Sequence, residues 1–294
     1  MHRDDRTTVA ALLKAGVDPD RPLRLGKASA NEGLLRPLWL AAVCGHVELA
    51  KLLLKHGAEV EGGNRWQTPL LHAMASGHDD VAAVLRKHGA KAHLLVQVAA
   101  GNLAAVKKAL QKDKALALLR DETGMTPLHY AARKLNAAMA KLLLAFGAEV
   151  DARTEHEESP LYVACDVRAA EPKAQRKVLE TLRKAGAKLD GANFRRVTPL
   201  HVAVRARSVA AVEFLLRHGA QVDAEDSGRG STPLRRAVTN TGAGGTKGRT
   251  DEALRIALLL LKHGADPRKK DARGRTILAS ARGQAMRALV GGAG

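Results

Sequence analysis

Four stretches of this chain overlay without a gap: RPLWLAAVCGHVELAKLLLKHGA (36–58), TPLLHAMASGHDDVAAVLRKHGA (68–90), TPLHYAARKLNAAMAKLLLAFGA (126–148) and TPLHVAVRARSVAAVEFLLRHGA (198–220). In each, a glycine follows the proline by twenty residues: Pro37 and Gly57, Pro69 and Gly89, Pro127 and Gly147, Pro199 and Gly219. The frame returns with insertions in SPLYVACD…VLETLRKAGA and TPLRRAVT…ALLLLKHGA. A fragment, VAALLKAGVDPD, opens the chain, and GRTILASARGQAMRALV closes it. A unit this short cannot bury its own apolar face, so it must stack on copies of itself.

Each unit has a physical reading. The Thr or Ser hydroxyl caps a helix whose first turn carries proline, where the missing N–H costs nothing. Paired alanines on this short first helix let a neighbour approach closely. A Leu-rich second helix stops at a left-handed glycine, and the polar segment beyond it forms a tight turn. Composition agrees: 46% of residues are apolar but only 2% aromatic. That supply suits many thin helical layers better than one thick core.

The repeated Thr-Pro-Leu, the Leu-rich second helix and the terminal glycine together resemble the ankyrin repeat. The resemblance covers about nine units, terminal caps included, across essentially the whole chain. It implies an all-α solenoid of stacked helix pairs joined by β-hairpin fingers, with fingers and first helices lining a concave palm. Stability would come from stacking between nearest neighbours.

The pattern is broken in places. Residues 93–113 have the two-helix rhythm without Thr-Pro, and only four residues separate Gly89 from the place where proline belongs. One finger is therefore stunted near residue 91, which predicts a hinge between sub-arrays 1–92 and 93–294 of one solenoid. Between Gly16 and Pro37 the link is too long, and RPLRLGKASANEG suggests an enlarged first finger. Two insertions fall between first and second helices, around 167–173 and in TNTGAGGTKGRTDE (239–252).

That glycine-rich insertion invites a phosphate-binding reading. A nucleotide loop needs glycine directly before its lysine, after a strand and before a helix. Here Thr246 separates Gly245 from Lys247, and a helix precedes. The segment reads as an interhelix loop displaying Lys247 and Arg249, a secondary contact surface.

The histidines offer no metal set. His129 and His201 follow Thr-Pro-Leu, His46 and His78 follow glycine at the turn, and His56, His88, His218 and His263 precede the terminal glycine. The remaining His2, His72, His93 and His156 are scattered, without partners at ligand spacing. EHEE (155–158) reads as a solvated acidic finger. Cys165 takes the place of a buried alanine, and Cys44 has no base beside it. No nucleophile–base–orienter set emerges, so a non-enzyme without cofactor, metal or small-molecule substrate is expected. The N-terminal stretch lacks a signal-like apolar run, and the longest such run, IALLLL, is far short of a membrane span. Two lone thiols fit a reducing cytoplasm, and abundant Ala, Arg and Gly point to a GC-rich bacterial source.

The resemblance further implies that partners meet finger tips and exposed first-helix positions. Here these are Arg65 and Gln67, Arg133 and Lys134, then Glu155, His156, Glu158 and Asp166. Phe194, Arg195, Arg205, Arg229, Asn240, Arg273 and Arg275 follow, and Trp66 stands where glycine is usual. One acidic unit interrupts a palm otherwise lined with arginine, and exposed Trp, Phe and Arg are anchor types. The net charge of +18 climbs along the chain, residues 201–294 carrying half of it. Such a surface steers acidic partners. Two readings result: a scaffold gripping an acidic protein (assembly subunit, inhibitor or immunity-type protein), or a nucleic-acid-binding or accessory protein. A pI near 10.3 favours the second; scarce aromatics for stacking and the mid-palm acidic unit oppose it.

Overall fold

The computed structural model describes residues 3–21, 36–62, 68–91, 93–168, 170–239 and 250–292. The chain divides into two compact units, one reaching Leu116 with Arg120–Glu122, the other holding Ala117–Leu119 and Thr123 onward.

The first unit contains α1 (Arg3–Lys14), α2 (Pro37–Cys44), α3 (Val47–Lys55), α4 (Pro69–Ser76), α5 (Asp79–Lys87), α6 (Leu94–Ala99) and α7 (Leu103–Lys112). First helices α2, α4 and α6 pack in one layer, and α3 packs on α5 in a second. The stunted finger near residue 91 falls inside this unit, and α4 contacts α6 directly across it. The enlarged finger expected between Gly16 and Pro37 lies largely outside the described residues.

The second unit contains α8 (Pro127–Arg133), α9 (Ala137–Ala145), α10 (Pro160–Cys165), α11 (Pro172–Lys184), α12 (Pro199–Arg205) and α13 (Val209–Arg217). It continues through α14 (Pro233–Val238), α15 (Thr250–Lys262), α16 (Ile277–Ser280) and α17 (Gln284–Gly291). The even-numbered helices form one layer and the odd-numbered ones the other.

The repeated residues explain the stacking. Leu128, Leu161, Leu200 and Leu234, one per first helix, are fully buried. So are Leu143, Leu182, Leu215 and Leu260, each four residues before its helix's terminal glycine. Burying such a side chain contributes about 1.5–3 kcal/mol. Ala131, Ala164, Ala203 and Ala237 are also fully buried, and at each any larger side chain would push the layers apart.

Helix ends follow the same logic. Ser159, Thr198, Thr232 and Thr276 accept the N–H three residues on through their hydroxyls. At the other end, Gly147 adopts φ 91°, letting Ala148 N–H return to Leu143 O at 3.0 Å.

The fingers are hairpin turns too short for a ladder; among the described residues the one β-bridge pairs Lys270 with Thr276. Each closes on itself: Thr154 N–H to Glu158 O at 3.1 Å, Asn193 to Val197 at 3.1 Å, Asp226 to Ser231 at 3.2 Å, Asp271 to Arg275 at 3.0 Å. Each also donates to its predecessor: Glu155 to Thr123 O, Phe194 to His156 O, Ser227 to Arg195 O, Ala272 to Arg229 O. This close approach fixes Gly124, where an added Cβ would lie 3.0 Å from Thr154 Cα.

The insertion around 167–173 is not simply a projecting loop. Its end extends α11 to thirteen residues, against nine in α9 and α13. Glu171 caps the added turn, accepting the N–H groups of Lys173 at 3.0 Å and Ala174 at 2.5 Å. α15 gains a turn likewise.

Candidate functional site

The finger side of the second unit is organised by histidines and carboxylates. His129 Nδ1 accepts the Thr126 N–H at 3.0 Å and its Nε2–H donates to Glu158 O at 3.0 Å. His201 repeats this with Thr198 N–H at 3.2 Å and Ser231 O at 2.8 Å. Each ring thereby ties a helix start to the next finger and must be the neutral Nε2–H form. Burial, reinforced by nearby Arg236, pushes His201 down to about 4.

Arg235 stands where the next histidine would be. The contact survives in another form. The guanidinium, 5% exposed, donates to Arg275 O at 2.6 Å, the carbonyl equivalent to those the histidines reach. It also donates to Lys269 O at 3.1 Å, Thr276 O at 3.2 Å and Ser280 Oγ at 2.6 Å. Asp271 lies 3.8 Å away.

Finger residues bind two things at once. Asp226 Oδ1 accepts the N–H groups of Gly228, Arg229 and Ser231, while Oδ2 takes Arg236 at 2.7 Å. Asp271 Oδ1 accepts from Arg273 and Arg275, and Oδ2 takes the Arg275 side chain at 2.9 Å. Burial works against the Asp271 charge, but the N–H groups and guanidinium of Arg275 prevail and hold it near 2. Asp166, at the end of α10, takes Arg205 at 2.8 Å. Burial raises Glu158 above the usual carboxylate range, with His156 opposing.

Two adjoining depressions result. One, of about 470 Å³, is lined by Tyr162, Phe194, Arg195, Arg205 and Arg229, with Glu158 at its edge. The other, of about 440 Å³, adds Arg235, Arg275, Arg282 and Arg287. They share Arg205, Arg229, Arg236 and Asp226. The second holds seven arginines against two aspartates, and no lysine.

Among the expected contact residues, Phe194, Arg195, Arg205 and Arg229 come together in the first depression, and Arg275 lines the second. Phe194 is 52% exposed beside His156 (ring centroids 5.7 Å apart) and under the Arg195 guanidinium at 5.2 Å. Arg133 lies elsewhere, 3.1 Å from Met125 Sδ and over the Tyr130 ring at 5.9 Å, followed by Lys134 at the helix end. Arg273 is exposed on the last finger and lines neither depression. Arg65, Trp66, Gln67, Asn240, Lys247 and Arg249 lie outside the described residues.

Arg282 and Arg287 are not among the expected finger-tip and first-helix positions. The closing unit has no proline, and α16 ends after four residues with Ala281 extended. The chain therefore turns early, and Arg282 N–H bonds Val238 O at 3.0 Å. Counting from the absent proline could not have found this register.

Cys165 is fully buried, and burial raises its thiol above the ordinary range. Cys44 is exposed at an apolar depression of the first unit that Leu12, Leu40 and Leu49 also line. Among the described residues, no group of three or more His, Cys, Asp and Glu could hold a metal ion. No helix there is long and apolar enough to cross a membrane.

The murine B-cell lymphoma 3 protein homolog is 31% identical over 200 residues, 67% of this chain and 42% of that protein. The chain thus spans less than half of that relative's length. Among solved structures, an ankyrin repeat domain from Acinetobacter baumannii AYE matches with TM-score 0.56 and 30% identity, over 68% of this chain and 96% of that one. The human ASB11 ankyrin repeat domain matches with TM-score 0.52 and 24% identity, over 88% and 98%, a likeness of fold. A family profile described as ankyrin repeats (3 copies) covers residues 2–95, 92–193 and 167–271. With the repeated caps, staples and glycine stops already described, this places the chain in the ankyrin-repeat family.

Proposed function

We propose that the chain is a non-catalytic interaction scaffold whose finger side, in the second unit, binds an acidic protein partner. Ankyrin repeats generally mediate protein–protein interaction, and the matching family is not one of enzymes. The observation that carries the acidic reading is the depression with seven arginines, two aspartates and no lysine. Guanidinium groups bind carboxylates in a bidentate fork, which lysine cannot do. Phe194, Arg195, Arg205 and Arg229 form the centre, Arg275 one flank, and Arg133, Lys134 and Arg273 outlying contacts. Among the described residues all cysteines are free thiols, in keeping with work in a reducing cytoplasm.

A continuous phosphate backbone fits less well, because Glu158, Asp226 and Asp271 lie along the same surface. The test is affinity capture from a native-source lysate, with and without nuclease, using the wild-type chain, Arg229→Glu and the opposite-layer variant Lys141→Glu. A stoichiometric protein that survives nuclease, is lost with Arg229→Glu and is kept with Lys141→Glu supports the reading. Bound material that disappears with nuclease overturns it in favour of nucleic acid.

A further inference from the structure

We infer that the two joined depressions take one extended partner segment in a fixed polarity, a large apolar side chain at Phe194 and a run of carboxylates at Arg229 and Arg282. The inference rests on the protein-partner reading and narrows it to a chemistry and a direction.

Most of the arginines are already engaged within the fold. Arg205 is held by Asp166, Arg236 by Asp226 and Arg275 by Asp271, while Arg235 is buried in contacts to the last finger. Arg287 Nε donates to Ala281 O at 3.2 Å, and Arg195 lies over the Phe194 ring. Arg229 and Arg282 are exposed and have no carboxylate partner among the described residues. The engaged guanidiniums add to the positive field; Arg229 and Arg282 supply forks for incoming carboxylates. Arginine selection is local to this side. The depression between α9 and α11 carries Lys141, Lys177 and Lys184 with a single arginine.

Charge is graded along the groove. Asp226, shared by the two depressions, and Asp271, in the second, are each paired with an arginine, whereas Glu158 stands at the Phe194 end. An incoming carboxylate there would meet like charge. Phe194 instead offers a half-exposed aromatic face, fixed by its N–H to His156 O and flanked by the Arg195 guanidinium. An apolar side chain desolvates this face without burying an unpaired charge, as an interface anchor does. Complementarity therefore places apolar groups at one end and acids at the other.

The test is fluorescence anisotropy with labelled synthetic peptides. The bipartite probe carries a Leu-Phe pair, a short glycine spacer and an Asp-Glu-Asp-Glu run, made in both chain directions. A second probe replaces Leu-Phe by alanines, and oligothymidylate serves as a third. Circular dichroism establishes that each variant is folded. Arg229→Glu and Arg282→Glu are each expected to weaken the bipartite probe about tenfold or more, with Lys141→Glu unchanged. Phe194→Ala is expected to weaken the bipartite probe several-fold and leave the alanine probe unaffected. Equal loss for both peptides, or loss for neither, overturns the polarity while the acidic-partner reading stands. Binding of oligothymidylate alone, abolished by Arg229→Glu, overturns both. No binding by any probe overturns the inference.

Discussion

His201 couples the fold to pH through a single ring. Its Nδ1 must stay unprotonated to accept the Thr198 N–H, and burial first, with Arg236 second, holds its pKa at about 4. In the unfolded chain it titrates near 6.5. Between these values the unfolded state binds the extra proton, so stability is full above about pH 6.5 and falls as pH drops toward 4. The loss is on the order of 3 kcal/mol over that window, and this group adds none below it. Asp271, held near 2, acts in a lower window: its contribution is present above about pH 4 and is lost as pH falls through 2. Urea unfolding at pH 7 and pH 4.5 measures the first effect. His201→Asn should be less stable at pH 7 and show a smaller drop between the two pH values; an unchanged drop would assign it to other groups.

Arg235 is the matching device at the scale of an element. It joins α14 to the last finger and to α16, whose four residues are too few to hold themselves in place. Removing this buried guanidinium leaves the carbonyls of Lys269, Arg275 and Thr276 without their donor, a cost on the order of 3 kcal/mol. Arg235→Ala should therefore release α16 and α17 ahead of the rest, seen as fast hydrogen exchange confined to 269–292. Arg235→His restores the residue used in the other repeats and should recover part of the protection, since an imidazole can reach Arg275 O but not Ser280 as well. Identical exchange in all three proteins would make the contact incidental. The helix pairs themselves were legible in the sequence, because Thr-Pro caps, alanine contacts and glycine stops act within a few residues of one another. What escaped depends on partners distant in sequence. Glu171 caps the added turn of α11 where Asn136 and Ser208 cap other second helices, Arg235 finds a carbonyl forty residues on, and Arg282 enters the groove only because α16 stops early. Leu135 and Arg207, at φ 52° and 56°, likewise occupy a turn where glycine stands in other repeats. Arg207 is only 2% exposed and donates to Ala237 O at 3.3 Å, completing the end of α14. Nothing local to residue 207 announces that.

For the molecule as a whole, charge is the dominant unbalanced quantity. A net +18 repels itself in the folded state more than in the expanded chain, which lowers stability at low ionic strength. Raising sodium chloride from about 50 to about 500 mM shortens the screening length from about 14 to about 4 Å. Surface pairs such as Lys51–Glu48 weaken too, but exposed pairs contribute little. The net result should be a Tm higher by a few degrees. Sulfate at matched ionic strength should raise it further, for two reasons: general exclusion from the protein surface, and occupation of the forks at Arg229 and Arg282. The variants separate these. Arg229→Glu/Arg282→Glu and Lys141→Glu/Lys262→Glu change net charge equally, so screening and exclusion act alike on both. Only the first alters the arginine depression, so only it should lose the extra sulfate increment over chloride in calorimetry. If both keep that increment, sulfate acts by exclusion alone and the depression has no selective grip on oxyanions. If only the first loses it, the excess positive charge of the chain is concentrated into a recognition surface at that depression.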